Sequence, residues 1–271
     1  MRGRVLIIAG SDSGGGAGIQ ADIKTVTALD GFAMTAVTAL TAQNTLGVQG
    51  VHPVPPEFLR LQIASVVDDL GVDAVKTGML GDGATIDVVV QALAALPCGL
   101  PVVVDPVMVA KGGAALLAPA AIAHLKHALL PRATLLTPNL PEAALLAGMA
   151  IDSEAAMYRA AERLLTLGVP AVLLKGGHLD SADVLDLLAT PDGIQAFRSP
   201  RLATRHTHGT GCTLASAIAA GLAQGMALAD AVARARAYVF QAIAAAPGFG
   251  AGHGPLNHAV TVDPERLSRL V

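Results

Sequence analysis

Six short apolar runs, each ending in small, polar or charged residues, constrain this chain more than any other feature. They are Val5–Ala9, Ala33–Thr41, Ala74–Lys76, Val102–Val104, Thr134–Leu136 and Ala171–Lys175. A strand reads as a continuous apolar run when both faces of its sheet are covered, the arrangement produced by parallel βαβ winding. Segments of helical character separate the runs, at about residues 18–30, 56–70, 84–96, 119–130, 139–147 and 154–167. After Lys175 the rhythm changes. "ADVLDLLAT" and "GIQAFRS" predict an antiparallel hairpin joined at Pro191–Gly193. Two further helices, at about 210–223 and 227–246, complete the pattern, and no Ser- or Pro-rich linker or charge run divides it. One domain is therefore expected over residues 1–271.

Composition agrees with a thick, covered sheet. With 53% apolar and 14% charged residues the chain can bury a large core, which excludes disorder. There is no Trp and only 3% aromatic residues, so Ala, Val, Leu and Ile must fill that core. The net charge of -3, with Lys and Arg scattered, argues against nucleic acid and anionic membranes as partners. Cys98 and Cys212 cannot build a disulfide framework and no CxxC pair suggests zinc, so a cytoplasmic protein is expected. The apolar start imitates a signal peptide but is short and is cut off by a glycine-rich turn. From Gly209 to Ala229 no residue is charged, a length that matches the roughly 20 residues of a bilayer span. Four glycines and Gln224 interrupt it, which predicts packed helix instead of a membrane segment.

The strand ends carry the chemistry. In order they read "AGSD", "TAQN", "KTGM", "DPVM", "TPN" and "KGGH". Ligands of open parallel sheets bind outside the carboxyl ends of the strands. Six such exits on one edge predict a polar, glycine-lined cleft, with Asp12, Asp22 and Gln43 converging there.

Two glycine clusters border that cleft. In "SDSGGGAGIQAD" no lysine follows the glycines, so it is not a Walker A loop. Gly16, Gly18 and Ala21 fit the weaker dinucleotide fingerprint, but Gln43 stands where that fingerprint needs a carboxylate. The second cluster is "GTGC", residues Gly209, Thr210, Gly211 and Cys212, at a helix start. Free N–H groups and a positive dipole end make such a position an anion site, suited to a transferring phosphoryl group. The same position lowers a thiol's pKa and predicts a partial thiolate at Cys212. Close helix packing explains the small residues equally well at this stage. In "TPNLPEAALL", Asn139 and Glu142 share a helix face. They form either a capping box or a water-mediated Mg²⁺ site, and the two are compatible.

Taken together, "AGSDSGGGAGIQADIKT", "TALTAQNT", "VKTGMLG", "DPVMVAKGG", "TPNLPEA", "LLKGGH" and "HGTGCTLASAIAA" resemble the ribokinase-like superfamily. Within it they resemble the hydroxymethylpyrimidine/phosphomethylpyrimidine kinases of thiamine synthesis. The motifs span nearly the whole chain in the same order. The resemblance implies a three-layer α/β/α sandwich with a mostly parallel central sheet. It implies ATP and Mg²⁺ as cofactors, a small pyrimidine as substrate and a homodimer. It implies that Gln43 hydrogen-bonds the aminopyrimidine, with Gly10, Asp22, Met79 and Val107 around it. Asp105 and Glu142 are implied for the metal, Asn139 and Lys175 for the nucleotide phosphates, and Lys111 for phosphate on closure of a "VMVAKGG" flap. "GTGC" is implied to be the anion hole, with Cys212 where most ribokinase-like sugar kinases carry Asp. Arg205 and His206 depart from the family's usual segment before "HGTGC" and acquire no role.

Three other readings remain open at this level. A pyridoxal kinase has the same fold, and its thiol could add to the substrate aldehyde. A Cys–His nucleophilic enzyme would pair Cys212 with His208 or His206. A non-catalytic pyrimidine sensor would bind without turnover. His124 and His127 fit a solvated helix face, and no carboxylate lies at ligand spacing from His206 and His208, so a transition-metal site is not expected.

Overall fold

The computed structural model describes residues 2–109, 113–263 and 265. Lys111, and with it part of the expected flap, lies outside the described residues. The chain builds one nine-stranded sheet. Its strands are β1 (Arg4–Asp12), β2 (Phe32–Asn44), β3 (Gly47–Pro53), β4 (Ala74–Thr77), β5 (Val102–Val104), β6 (Leu135–Leu136), β7 (Val172–Lys175), β8 (Asp183–Thr190) and β9 (Gly193–Pro200). Their order is β3-β2-β1-β4-β5-β6-β7-β8-β9. The six strands from β2 to β7 in that order are mutually parallel, and β3, β8 and β9 attach antiparallel at the two edges.

Side chains alternate across a strand, so each apolar run feeds two cores. From β1, Leu6 and Ile8 join Val75, Val104, Leu136 and Leu174 under one helical layer. That layer contains α2 (Pro56–Leu70), α3 (Gly83–Ala95), α4 (Ala121–His124), α5 (Leu140–Ala147) and α6 (Glu154–Leu165). Val5, Ile7 and Ala9 join Val103, Leu135 and Leu173 on the other face, under α1 (Gly18–Ala28), α7 (Thr210–Ala223) and α8 (Leu228–Ala244). Each fully buried Leu, Ile or Val contributes roughly 1.5–3 kcal/mol, and this explains why the runs carry no alternation. The expected three-layer α/β/α sandwich is present.

Three local differences have clear causes. The second strand runs on to Asn44 and returns as β3, which sequence reading missed because Gly47, Gly50 and Pro53 dilute its strand character. The helix expected over 119–130 is short, widening into a π turn at Leu125–Leu129 and tightening to a 3-10 turn at Leu130–Arg132. The uncharged stretch from Gly209 is divided between α7 and α8 at residues 224–227, and no helix among the described residues is long and apolar enough to cross a membrane.

Candidate functional site

The parallel strands end at one large cavity of about 1190 Å³. Gly10, Gln43, Met79 and Val107 line it, as do Asp105, Asn139, Glu142, Lys175 and all four residues from Gly209 to Cys212. The cavity therefore gathers every described candidate residue named above except one. Asp22 does not line the cavity. It points from α1 into the interior, fully buried, and both its carboxylate oxygens lie 2.9 Å from the Lys76 ammonium. Ser216 on α7 donates to the same carboxylate at 2.7 Å. A buried carboxylate must be paired, and Lys76, 54 residues away at the end of β4, supplies the partner. Lys76 itself reaches the cavity wall, a role the sequence reading did not assign it. The signal was there: a lysine ending an apolar strand is rarely buried without a charged partner.

The anion cradle depends on one glycine. Gly209 caps α7 with φ 84°, a left-handed conformation, and a Cβ there would collide with the Gly16 carbonyl. The two glycine clusters thus touch: the turn after β1 packs on the turn before α7. Thr210 fixes that turn by donating its hydroxyl to the Thr207 carbonyl at 2.8 Å. Gly211 and Cys212 lie in the first helical turn, where backbone N–H groups have no carbonyl within the helix.

Opposite these amides stand charged groups from the ends of β5 and β7 and from the first turn of α5. The Lys175 ammonium lies 2.9 Å from Asp105 Oδ1, and a Cβ on Gly211 would stand only 3.1 Å from that ammonium. Thr137 also donates to Asp105 Oδ1, at 3.1 Å. Burial works against the Lys175 charge, but Asp105 and Glu142 outweigh it and raise its pKa. Asn139 and Glu142 form the expected capping box of α5, each side chain accepting the other's backbone N–H at 2.9 Å. Burial pushes the Glu142 carboxyl up to about 7, with Asp105 adding to the effect and Lys175 opposing it. Two neighbouring buried carboxyls, one of them holding its proton near neutrality, suit a divalent cation. Among the described residues no group of three His, Cys, Asp or Glu gathers as a cage. That donor set fits Mg²⁺, which keeps several waters and takes its remaining oxygens from phosphates.

Cys212 departs from the sequence expectation. Burial pushes its thiol up to about 11, with Asp22 and Asp105 adding to the rise. Lys76 and the Gly18 amide pull it down but do not compensate. The helix start alone argued for a partial thiolate; loss of water and two buried carboxylates override it. His208 does not activate the sulfur. Its Nε2 lies 2.9 Å from Asp12 Oδ2 and 3.3 Å from the Gln43 side chain. Asp12 also accepts the backbone N–H groups of Gly14, Gly16 and Ala17, so it organises the whole glycine turn. An Asp heading a glycine run is the sequence signature of such a turn. The Arg205 carbonyl lies 3.1 Å from His253 Nδ1, and the His206 amide donates to Thr204 Oγ1 at 3.1 Å.

The family model described as phosphomethylpyrimidine kinase matches residues 12–257. The thiamine biosynthesis bifunctional protein ThiED of Geobacter sulfurreducens is 52% identical over 98% of this chain, which spans only 54% of that longer protein. The hydroxymethylpyrimidine/phosphomethylpyrimidine kinase of Streptomyces coelicolor is also 52% identical, over 94% of this chain and 93% of its own length. Among solved structures, a Staphylococcus aureus pyridoxal kinase in complex with AMP-PCP and pyridoxal superposes with a TM-score of 0.88 at 35% identity. That match covers 96% of this chain and 94% of the other. With the family's model matching most of the chain and half of all positions identical in full-length relatives, this chain belongs to the phosphomethylpyrimidine kinase family.

Proposed function

We propose that this chain, as a single kinase domain, transfers the γ-phosphoryl group of ATP to the hydroxymethyl group of 4-amino-5-hydroxymethyl-2-methylpyrimidine. A second transfer then converts the monophosphate to the diphosphate. The observation that carries this reading is one cavity holding both an amide for the ring, Gln43, and a glycine-built anion cradle, Gly209–Cys212, faced by Lys175. The names of the curated relatives support the acceptor, and AMP-PCP in the related pyridoxal kinase supports the donor.

In this mechanism Gln43 hydrogen-bonds the aminopyrimidine, and Gly10, Met79 and Val107 close around it. The N–H groups of Gly211 and Cys212 receive the charge that develops on the transferring phosphoryl oxygens, and Lys175 holds the phosphate chain beside them. Asp105 and Glu142 would hold Mg²⁺, which would neutralise phosphate charge, and Asn139 would contact the phosphates. A thiol with a pKa of about 11 is a poor base at neutral pH. Cys212 therefore positions the acceptor oxygen as a hydrogen-bonding group, and in a loose transfer the hydroxyl proton passes late to an oxygen of the transferred phosphoryl group. The proposal extends to a cytoplasmic homodimer, for which the family resemblance is the support.

A coupled ADP-release assay with the pyrimidine, its monophosphate and pyridoxal as acceptors tests the reading. Turnover of the first two in preference to pyridoxal is expected. A preference for pyridoxal would reassign the chain to the activity named for the Staphylococcus aureus enzyme, and binding without ADP release would make it a sensor.

A further inference from the structure

Gln43 and His208 meet although 165 residues separate them in the chain. The imidazole is 12% exposed and lies against Gly16, where a Cβ would stand 2.5 Å from its Cδ2. The ring has little room to swing. Its Nε2 has two polar neighbours, Asp12 Oδ2 at 2.9 Å and the end of the Gln43 amide at 3.3 Å. One ring nitrogen carries one proton or one lone pair, so it cannot donate to Asp12 and also accept from an amide N–H.

Asp12 decides between the two. Its carboxylate accepts backbone N–H groups from Gly14 at 2.8 Å, Gly16 at 3.1 Å and Ala17 at 2.8 Å. Burial pulls its pKa upward, but the bonds from His208, Ala17 and Gly14 outweigh that and hold it below the ordinary value. An ionised carboxylate only accepts, so His208 Nε2 carries the proton. An amide N–H cannot face that proton. The two ends of a terminal amide are told apart by their partners, and here the oxygen belongs against His208. The NH2 group then faces Thr41 Oγ1, which lies 3.2 Å from the amide's other end. Thr41 can accept it, because its own hydroxyl proton goes to the Ser11 carbonyl at 2.9 Å. Along Asp12, His208, Gln43, Thr41 and Ser11 no donor then faces a donor and no acceptor faces an acceptor.

We propose that His208, anchored by Asp12, pins the Gln43 amide in one orientation and so makes the cavity select a pyrimidine with an amino group beside a ring nitrogen over its oxo counterpart. The inference rests on the reading of Gln43 as the residue that binds the acceptor ring. An aminopyrimidine offers a donor next to an acceptor, and the oxo form offers an acceptor next to a ring N–H donor. An amide free to turn over serves either ring. A pinned amide serves one and meets the other with donor against donor and acceptor against acceptor. His208 is a positioning residue, since it acts through Gln43.

The test compares kcat and KM for 4-amino-5-hydroxymethyl-2-methylpyrimidine and its 4-oxo analogue in the wild type, His208→Phe and His208→Gln. The wild type is expected to favour the amino ring by at least about tenfold in kcat/KM, the scale of one mispaired buried polar group. In His208→Phe the preference collapses, mainly through KM, because the amide turns over freely. His208→Gln, which again offers an N–H between Asp12 and Gln43, restores it. A His208→Phe enzyme that keeps the wild-type preference, or a wild type without one, overturns the proposal. Failure of the wild type to phosphorylate either ring would instead overturn the kinase reading. Independently of substrate, ¹⁵N NMR of the unliganded protein should show His208 protonated at Nε2, and an unprotonated Nε2 overturns the amide assignment.

Discussion

Lys76 and Asp22 face one another with the ammonium 2.9 Å from both carboxylate oxygens and neither side chain exposed. The pair links β4 to α1 directly beneath the cavity, and Ser216 ties α7 to the same carboxylate. Burial opposes the Lys76 charge, and the Asp22 carboxylate outweighs it and raises its pKa. Removing one partner leaves an uncompensated buried charge, which costs about 3–5 kcal/mol. Lys76→Met and Asp22→Leu should each lower the thermal midpoint sharply, and the double variant should recover much of the loss. Thermal unfolding of the three variants checks this; equal losses in single and double variants would mean that the pair does not couple.

Cys212 yields a prediction about chemistry at the sulfur. With the thiol pushed up to about 11 by burial, alkylation at pH 7 should mark the exposed Cys98 and largely spare Cys212. The Cys212 rate should keep climbing above pH 9, where an ordinary thiol has levelled off. Mass spectrometry after timed iodoacetamide treatment separates the two sites.

Substitution of Cys212 should also separate the two transfers. The hydroxymethyl acceptor presents a hydroxyl that the Cys212 thiol must hold in line, whereas the second acceptor is a phosphate already ionised near neutrality, with no such hydroxyl to hold. Cys212→Ala should slow the first transfer much more than the second, and Cys212→Ser should retain more of the first than Cys212→Ala does. Initial rates with the alcohol and the monophosphate as separate substrates decide it. Equal losses in both would leave the sulfur only a space-filling role.

Which parts of this were legible in the sequence follows from how local each cause is. The continuous runs such as Val5–Ala9 announced a covered parallel sheet because burial on both faces acts strand by strand. The capping box of Asn139 and Glu142 was legible because it needs only three residues of spacing. Asp22 was misplaced because nothing near it in sequence reveals Lys76. The Cys212 thiol was misjudged for the same reason: its helix start is local, but the carboxylates that oppose its ionisation arrive from α1 and the end of β5. Strand β3 escaped because edge pairing to β2 rescues a segment whose own composition is weak.

Gly209 allows a backbone test of the anion cradle. At φ 84° an alanine is strained, and its Cβ would strike the Gly16 carbonyl. The strained conformation alone costs about 1–3 kcal/mol, and relief of the clash must move α7 away from the β1 turn. Gly209→Ala should lose most of its kcat/KM for both transfers, since both use the same amides. Gly99→Ala, at an exposed φ 82° position where an added Cβ meets nothing, controls for strain by itself. Comparable activity loss in the two variants would uncouple the cradle from catalysis.

Glu142 makes one contribution to the pH dependence of the metal-free protein, opposite in sign to that of His258, whose imidazole burial pushes down to about 4. Its carboxyl sits at about 7 in the folded chain against an ordinary 4.5, because burial and Asp105 disfavour its charge more than Lys175 favours it. A raised folded pKa means that the folded state holds a proton the unfolded chain releases. The contribution is therefore fully present below pH 4.5, declines as the pH rises, and is gone once the pH passes 7. Glu142→Gln, with no proton to lose, should flatten that part of the stability profile and raise the midpoint at pH 8 relative to the wild type. Millimolar Mg²⁺ should raise the wild-type midpoint at pH 8 and leave the variant nearly unchanged. Thermal unfolding from pH 5 to 8, with and without Mg²⁺, checks both; a wild-type profile parallel to that of Glu142→Gln would place the titrating group elsewhere.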